Sequence, residues 1–242
     1  MQAFESIARH FAEQGGTFRV PPSDFCTRLK KIRAYVFDWD GVFNDGSRHG
    51  IEGSTFTEPD AMGTNMLRFS HWLAHGSLPV MAVITGEKNH YAYQLTDRER
   101  FHALYFRIAH KTKALHHLAE TFGIQAHEVA FVFDDILDFG MAAACGLRIQ
   151  VRRSANPLLN DFVVQHQLAE YSTFSPSGHF AVREATELLM GAQGNFDEAI
   201  AQRAAYSSVY QQYLADRKNV HPLLFTAVQQ EITPVDRFLE QG

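Results

Sequence analysis

Two aspartates one residue apart, Asp38 and Asp40, end the apolar run Tyr35-Val36-Phe37, and Gly41 follows directly. Like charges that close repel, and a carboxylate beside a dry strand is costly unless it is paired or bound to a cation. Further polar groups stand at the ends of later apolar runs or open a helix. Thr85, Gly86 and Glu87 follow LPVMAVI, Lys111 and Lys113 open an amphipathic segment, and Asp134-Asp135 follow VAFVF with Asp138 close behind. Carboxylates that converge on one place need a compensating cation. Oxygen-only ligands suit a hard ion such as Mg2+, which keeps several waters and a substrate phosphate around it. A lysine ammonium and a threonine hydroxyl donate to phosphate oxygens. A carboxylate beside both can act as a nucleophile and form an aspartyl phosphate.

Such a site needs elements that bring the strand ends together. Short apolar runs at 34–38, 78–85, 103–106, 129–135 and 147–151 alternate with amphipathic segments at 62–75, 88–99, 111–122 and 136–145. That alternation predicts an α/β fold, a central parallel sheet with helices on both faces. Ligands of such sheets bind at the carboxyl ends of the strands, where the marked residues cluster. The stretch 42–60 breaks the pattern: Asn44-Asp45-Gly46 flanked by β-formers predicts a β-hairpin flap over 42–57. Residues 2–14 read as a helix ended by Gly15-Gly16, and VPPSDF (20–25) as a loop. The division expected is an N-terminal extension (1–30), a core (31–196) without room for a large cap, and a helical C-terminal extension (197–242).

The chain has 242 residues and a formal charge of -5 without a long basic tract, which argues against nucleic acid as a partner. Its two cysteines, Cys26 and Cys145, make no disulfide framework or metal motif, so a reducing cytoplasm is expected. No apolar run approaches the ~20 residues that span a bilayer, and the N-terminus lacks an export pattern.

DWDG (38–41), VITG (83–86), HKTK (110–113) and FDDILD (133–138), in that order, resemble the haloacid dehalogenase superfamily of phosphotransferases. DGVFNDG (40–46), PDAMGTNML (59–67), ITGEK (84–88), GLRIQVRRSANPLL (146–159) and SGHFAVREATELLMGAQGNFDE (177–198) resemble its capless branch. That branch removes phosphate from sugar acids and is typified by 3-deoxy-D-manno-octulosonate 8-phosphate phosphatases. The resemblance covers roughly 32–198.

It implies a Rossmann-like fold and a Mg2+-dependent phosphomonoester hydrolase acting on a small sugar-acid phosphate. Asp38 would be nucleophile and metal ligand, and Asp40 the general acid/base whose backbone carbonyl reaches the metal. Thr85 would hold the phosphoryl group with Gly86, and Lys111 would neutralise charge. Asp134 and Asp135 would bind the metal, with Asp138 behind them. Glu87 stands where octulosonate enzymes carry arginine, Phe133 where glycine is common, and His179, in SGHF (177–180), where relatives use arginine. The capless branch also implies a homotetramer, its flaps packed together and a neighbour closing the pocket at SGHF.

Blander readings compete. Phosphorylated receiver domains share these residue types, but there the acidic pair comes first and the lysine last. A phosphatase for another small phosphometabolite, or a catalytically weak binding or scaffold descendant, would keep the same motifs. His71 and His75 have i, i+4 zinc spacing without an evident third ligand and read as structural. His110, His116 and His117 read as a solvated helix face, and the aromatics of FHALYF (101–106) as core.

Overall fold

In a computed structural model that describes residues 2–238, the apolar runs lie side by side. The strands are β1 (Thr17–Phe18), β2 (Ala34–Phe37), β3 (Val80–Ile84), β4 (Ala103–Phe106), β5 (Val129–Phe133), β6 (Leu147–Gln150), β7 (Tyr171–Ser172), β8 (Leu223–Val228) and β9 (Glu231–Pro234). They form one sheet in the order β1-β7-β6-β5-β2-β3-β4-β8-β9. Neighbours from β7 to β8 are parallel, and only the outer pairs β1/β7 and β8/β9 are antiparallel. β2 has β5 on one side and β3 on the other. Chain order reverses there, which opens a crevice at the carboxyl ends of these three strands.

The strands read as continuous apolar runs because both faces are buried. Tyr35, Phe37, Met81, Val83, Ala130 and Val132 point into one core, and Ala34, Val36, Ala82, Ile84, Phe131 and Phe133 into the other. The first core is roofed by α1 (Gln2–Glu13), α2 (Pro22–Leu29), α3 (Glu58–His75), α4 (His90–Glu99), and later helices. The second is roofed by α5 (Lys111–Phe122), α6 (Phe139–Ala142) and α7 (Pro157–Gln165). α8 (Ala181–Gln193), α9 (Phe196–Ala204) and α10 (Ser208–Lys218) complete the first layer. Each large apolar side chain fully buried this way contributes roughly 1.5–3 kcal/mol. No helix of the described residues is long and apolar enough to cross a membrane.

The expected flap hairpin does not form. Residues 42–57 make turns and one short 3-10 turn, Gly50–Glu52, without a strand. Side chains take the backbone partners that a ladder would use. Trp39 Nε1 donates to Ser54 O at 3.0 Å, and Asn44 Nδ2 donates to Thr55 O at 3.0 Å and Trp39 O at 3.3 Å. Val42 and Phe43, within the expected flap, are buried in the chain's own core, with Phe43 against the rings of Phe37 and Trp39.

The termini also differ from expectation. VPPSDF is not a loop but opens α2, with proline at the first helical turn where a missing N–H costs nothing. The C-terminal segment is helical only to Lys218 and then returns as β8, parallel to β4, and β9 at the sheet edge. α10 closes over α3: Arg68, fully buried, donates Nε to Tyr213 Oη at 3.1 Å and Nη1 to Arg100 O at 2.8 Å. His117 is not on a solvated face, since its ring packs 4.6 Å from Phe225 of β8 and Nδ1 lies 3.0 Å from Tyr105 Oη. The rings of His71 and His75 lie 4.2 Å apart and tilted, and His71 faces Tyr35 Oη at 3.3 Å. Burial and the charge of His75 push the His71 imidazole down to about 3, so it is a neutral core group.

Candidate active site

The carboxyl ends of β2, β3 and β5 meet at a buried cluster of charge. Asp38 continues β2 into the site, its N–H donating to Val132 O at 2.9 Å, and is only 6% exposed. Lys111, the first residue of α5, is buried and donates Nζ to Asp38 Oδ1 and Asp138 Oδ1. Burial would lower its pKa, yet the charges of Asp38 and Asp138 hold it above the ordinary lysine value. Asp38, Asp134 and Asp138 each present a carboxylate oxygen, all within 4.8 Å of one another. Asp134 is the group in electrostatic need. Burial first, then the nearby Asp38 charge, push it up to about 9, and the same two causes push Asp138 to about 7. Arg153 Nη2 lies 2.6 Å from Asp134 Oδ2, but neither Asp134 oxygen accepts an aligned hydrogen bond among the described residues. Three buried carboxylates, one with both oxygens orphaned, fit a hard divalent cation.

Asp135 does not join the cluster. It caps the one-turn helix Ile136–Asp138, accepting from Ile136 N at 2.7 Å, while Asp138 Oδ2 accepts from Asp135 N at 3.3 Å. This reciprocal cap turns Asp135 outward, with its side chain 45% exposed, and turns Asp138 inward to Lys111. The third place in the triad therefore belongs to Asp138. Asp40 stands beside the triad rather than in it and accepts from Ser54 Oγ, itself held by Asn89 Nδ2 at 3.0 Å. Gly41 makes the turn possible. Its φ is +88°, and a Cβ there would lie 1.9 Å from Arg153 Nη2 and 2.1 Å from Asp134 Oδ2.

Thr85 is buried at the end of β3, its Oγ1 accepting from Glu87 N at 3.4 Å, and Gly86 and Glu87 are exposed beside it. Glu87 pairs with Arg48 at 3.6 Å on the surface. Phe133 does not crowd the site, because it is buried in the core beneath, stacked on Phe131. His179 is not brought to the cluster. Its turn packs on the loop after Gly41, with Ser177 Oγ donating to Asn44 O at 2.8 Å, but the exposed His179 lines a surface depression with Phe11 and Arg183. Sequence reasoning passed over Arg153 and Ser54. Their signals were slight: a second basic residue after β6, and one of two serines in a glycine-rich stretch.

No family model matches the chain. A 3-deoxy-D-manno-octulosonate 8-phosphate phosphatase of Salmonella typhi is 32% identical over 180 residues, which are 73% of this chain and 88% of that protein. The crystal structure of a 3-deoxy-D-manno-octulosonate 8-phosphate phosphatase from Moraxella catarrhalis, with magnesium, phosphate and KDO, superposes with a TM-score of 0.62 at 25% identity, covering 74% of this chain and 98% of that one. A Legionella pneumophila protein described as a putative HAD superfamily (subfamily III A) hydrolase gives a TM-score of 0.62 at 25% identity, over 76% of this chain and 95% of that one.

Proposed function

The chain belongs to the haloacid dehalogenase superfamily, in the capless branch of the octulosonate-phosphate phosphatases, and from that premise we propose that it is a Mg2+-dependent phosphatase of an acidic sugar phosphate. The observation that carries the reading is the buried set Asp38, Lys111, Asp134 and Asp138 at the strand ends. A divalent cation would be held by Asp38, Asp134 and Asp138, with the Asp40 carbonyl as a further donor, and would neutralise charge on the phosphoryl oxygens. Asp135, exposed at the cap, is assigned to the outer rim rather than to the ion.

Asp38, oriented by Lys111, attacks phosphorus and becomes the aspartyl phosphate. Asp40 gives its proton to the departing sugar oxygen, then takes one from the water that cleaves the acyl phosphate. Thr85 and the Gly86 backbone receive the phosphoryl oxygens, and Lys111 offsets the charge that builds there. We assign catalysis to 31–196 and treat 1–30 and 197–242 as extensions. The solved relatives support this division, being matched over nearly their whole length by about three quarters of this chain.

The substrate class proposed is an eight- or nine-carbon ulosonate phosphate. Relatives named for the octulosonate ester support it, while Glu87, tied to Arg48, distinguishes this rim. Across a panel of sugar phosphates with Mg2+, kcat/KM is expected to be highest for an ester bearing a free carboxylate. Neutral hexose phosphates outperforming every ulosonate phosphate would overturn the substrate class.

A cytoplasmic location is supported by two unpaired cysteines, Cys26 and Cys145. A homotetramer is also proposed, on other grounds than a hairpin. Ile51 is 98% exposed in the segment 42–57, and Phe180 is 49% exposed in the turn that abuts Asp45, so apolar surface flanks a site without a large cap. Light scattering is expected to give the mass of four chains, and a fully active, monodisperse monomer would refute the assembly.

A further inference from the structure

Lys111 serves Asp38 and Asp138, which leaves Asp134 to a different cation. Arg153, three residues past β6, reaches it with Nη2 at 2.6 Å and reaches Asp135 with Nη1 at 3.8 Å. The contact is close but poorly formed. Neither Asp134 oxygen accepts an aligned hydrogen bond, and Arg153 Nε is buried without a hydrogen-bond partner among the described residues. An arginine fork that only abuts a carboxylate gains little of the bidentate geometry that makes such pairs strong.

The place of the guanidinium is as informative as its partner. It lies on the bare backbone of Gly41, where a Cβ would stand 1.9 Å from Nη2, and near Gly46, where a Cβ would stand 3.6 Å away. It therefore fills the gap between the turn at Gly41 and Asp134, at the edge of the carboxylate cluster that Asp38 shares. The backbone behind it is fixed. Arg153 O accepts from Asn160 Nδ2 at 3.2 Å and from Asn156 N at 3.3 Å at the start of α7. The side chain is 27% exposed, so the guanidinium can turn toward solvent without moving that anchor.

Resting on the phosphatase reading above, we propose that Arg153 is a substrate-anion residue that exchanges partners. Paired with Asp134, it yields that carboxylate to the divalent cation and turns its fork to the anionic ester. Two consequences follow that a merely structural arginine would not have. Arg153 competes with the cation for Asp134, and it cooperates with the cation in holding phosphate.

Isothermal titration of the full chain separates these effects with two probes, Mg2+ alone and inorganic phosphate at saturating Mg2+. Arg153→Met is expected to bind Mg2+ alone more tightly, about three- to tenfold, and inorganic phosphate about tenfold more weakly. Arg153→Lys keeps the charge without the fork, so its phosphate affinity should fall between wild type and Arg153→Met. For the preferred ester, the methionine variant should raise KM far more than it lowers kcat. Unchanged phosphate affinity in Arg153→Met, or Mg2+ affinity that falls together with phosphate affinity, would overturn the proposal. If the methionine variant does not fold, Arg153→Lys is judged by the same two titrations, and phosphate affinity equal to wild type refutes the role. Turnover by wild type on the substrate panel judges the phosphatase reading separately, because neither titration requires hydrolysis.

Discussion

Asp38→Asn is expected to lower hydrolysis by at least about a thousandfold while leaving the protein folded. The substitution keeps the volume of a side chain that is only 6% exposed, so no cavity opens in the floor of the site. It removes the attacking carboxylate and the negative charge of one of the three groups whose oxygens gather within 4.8 Å of one another. It also removes a charge that pushes both Asp134 and Asp138 up. Lys111 retains Asp138 as its partner. Relief of repulsion and loss of one Lys111 partner oppose each other, so stability in EDTA should change little, whereas the stabilisation given by Mg2+ should shrink. Steady-state turnover and urea unfolding, each with Mg2+ and with EDTA, measure the two effects. Turnover by Asp38→Asn near the wild-type rate would refute the aspartyl-phosphate mechanism.

The strand ends were legible in the sequence because the chain itself changes character there. Ala34–Phe37 and Val129–Phe133 are buried on both faces, so each reads as an unbroken apolar run whose first polar residue marks the crevice. What remained hidden depends on contacts far along the chain. The segment after Asp40 carries hairpin residues, yet Asn44 and Trp39 capture its backbone from the side, and no local pattern encodes that. β8 and β9 were missed because their turn, Gln229-Gln230, has φ of +50° and +69° without the glycine or asparagine that usually signals such a turn. Asp135 and Asp138 were both visible as acids. Which one faces inward is decided by the cap of a single helical turn, a geometric detail that spacing alone does not reveal. Arg153 stood in a stretch already noted for its resemblance, but only the fold places it over Gly41.

Lys111→Met carries the largest expected cost in stability. Lys111 is 4% exposed and lies between Asp38 and Asp138, both buried, so its removal leaves two carboxylates facing each other in a dry site. Breaking a buried ion pair by deleting one partner typically costs about 3–5 kcal/mol, because the remaining charge is uncompensated. The lysine's pKa is held above its ordinary value of 10.5, so its contribution is fully present at neutral pH and fades only as pH rises beyond that value. Urea unfolding near pH 7.5 in EDTA should therefore show the loss in full. Mg2+ should recover part of it, and more than it adds to wild type, since a cation on the triad replaces some of the missing charge. Asp138→Asn in the same chain removes one of the stranded carboxylates and should restore much of the stability. Turnover should stay depressed by at least about a hundredfold in both variants, because Asp38 then lacks the donor that orients it. If Lys111→Met unfolds at the wild-type urea midpoint in EDTA, the lysine is not the cation that makes these buried aspartates tolerable.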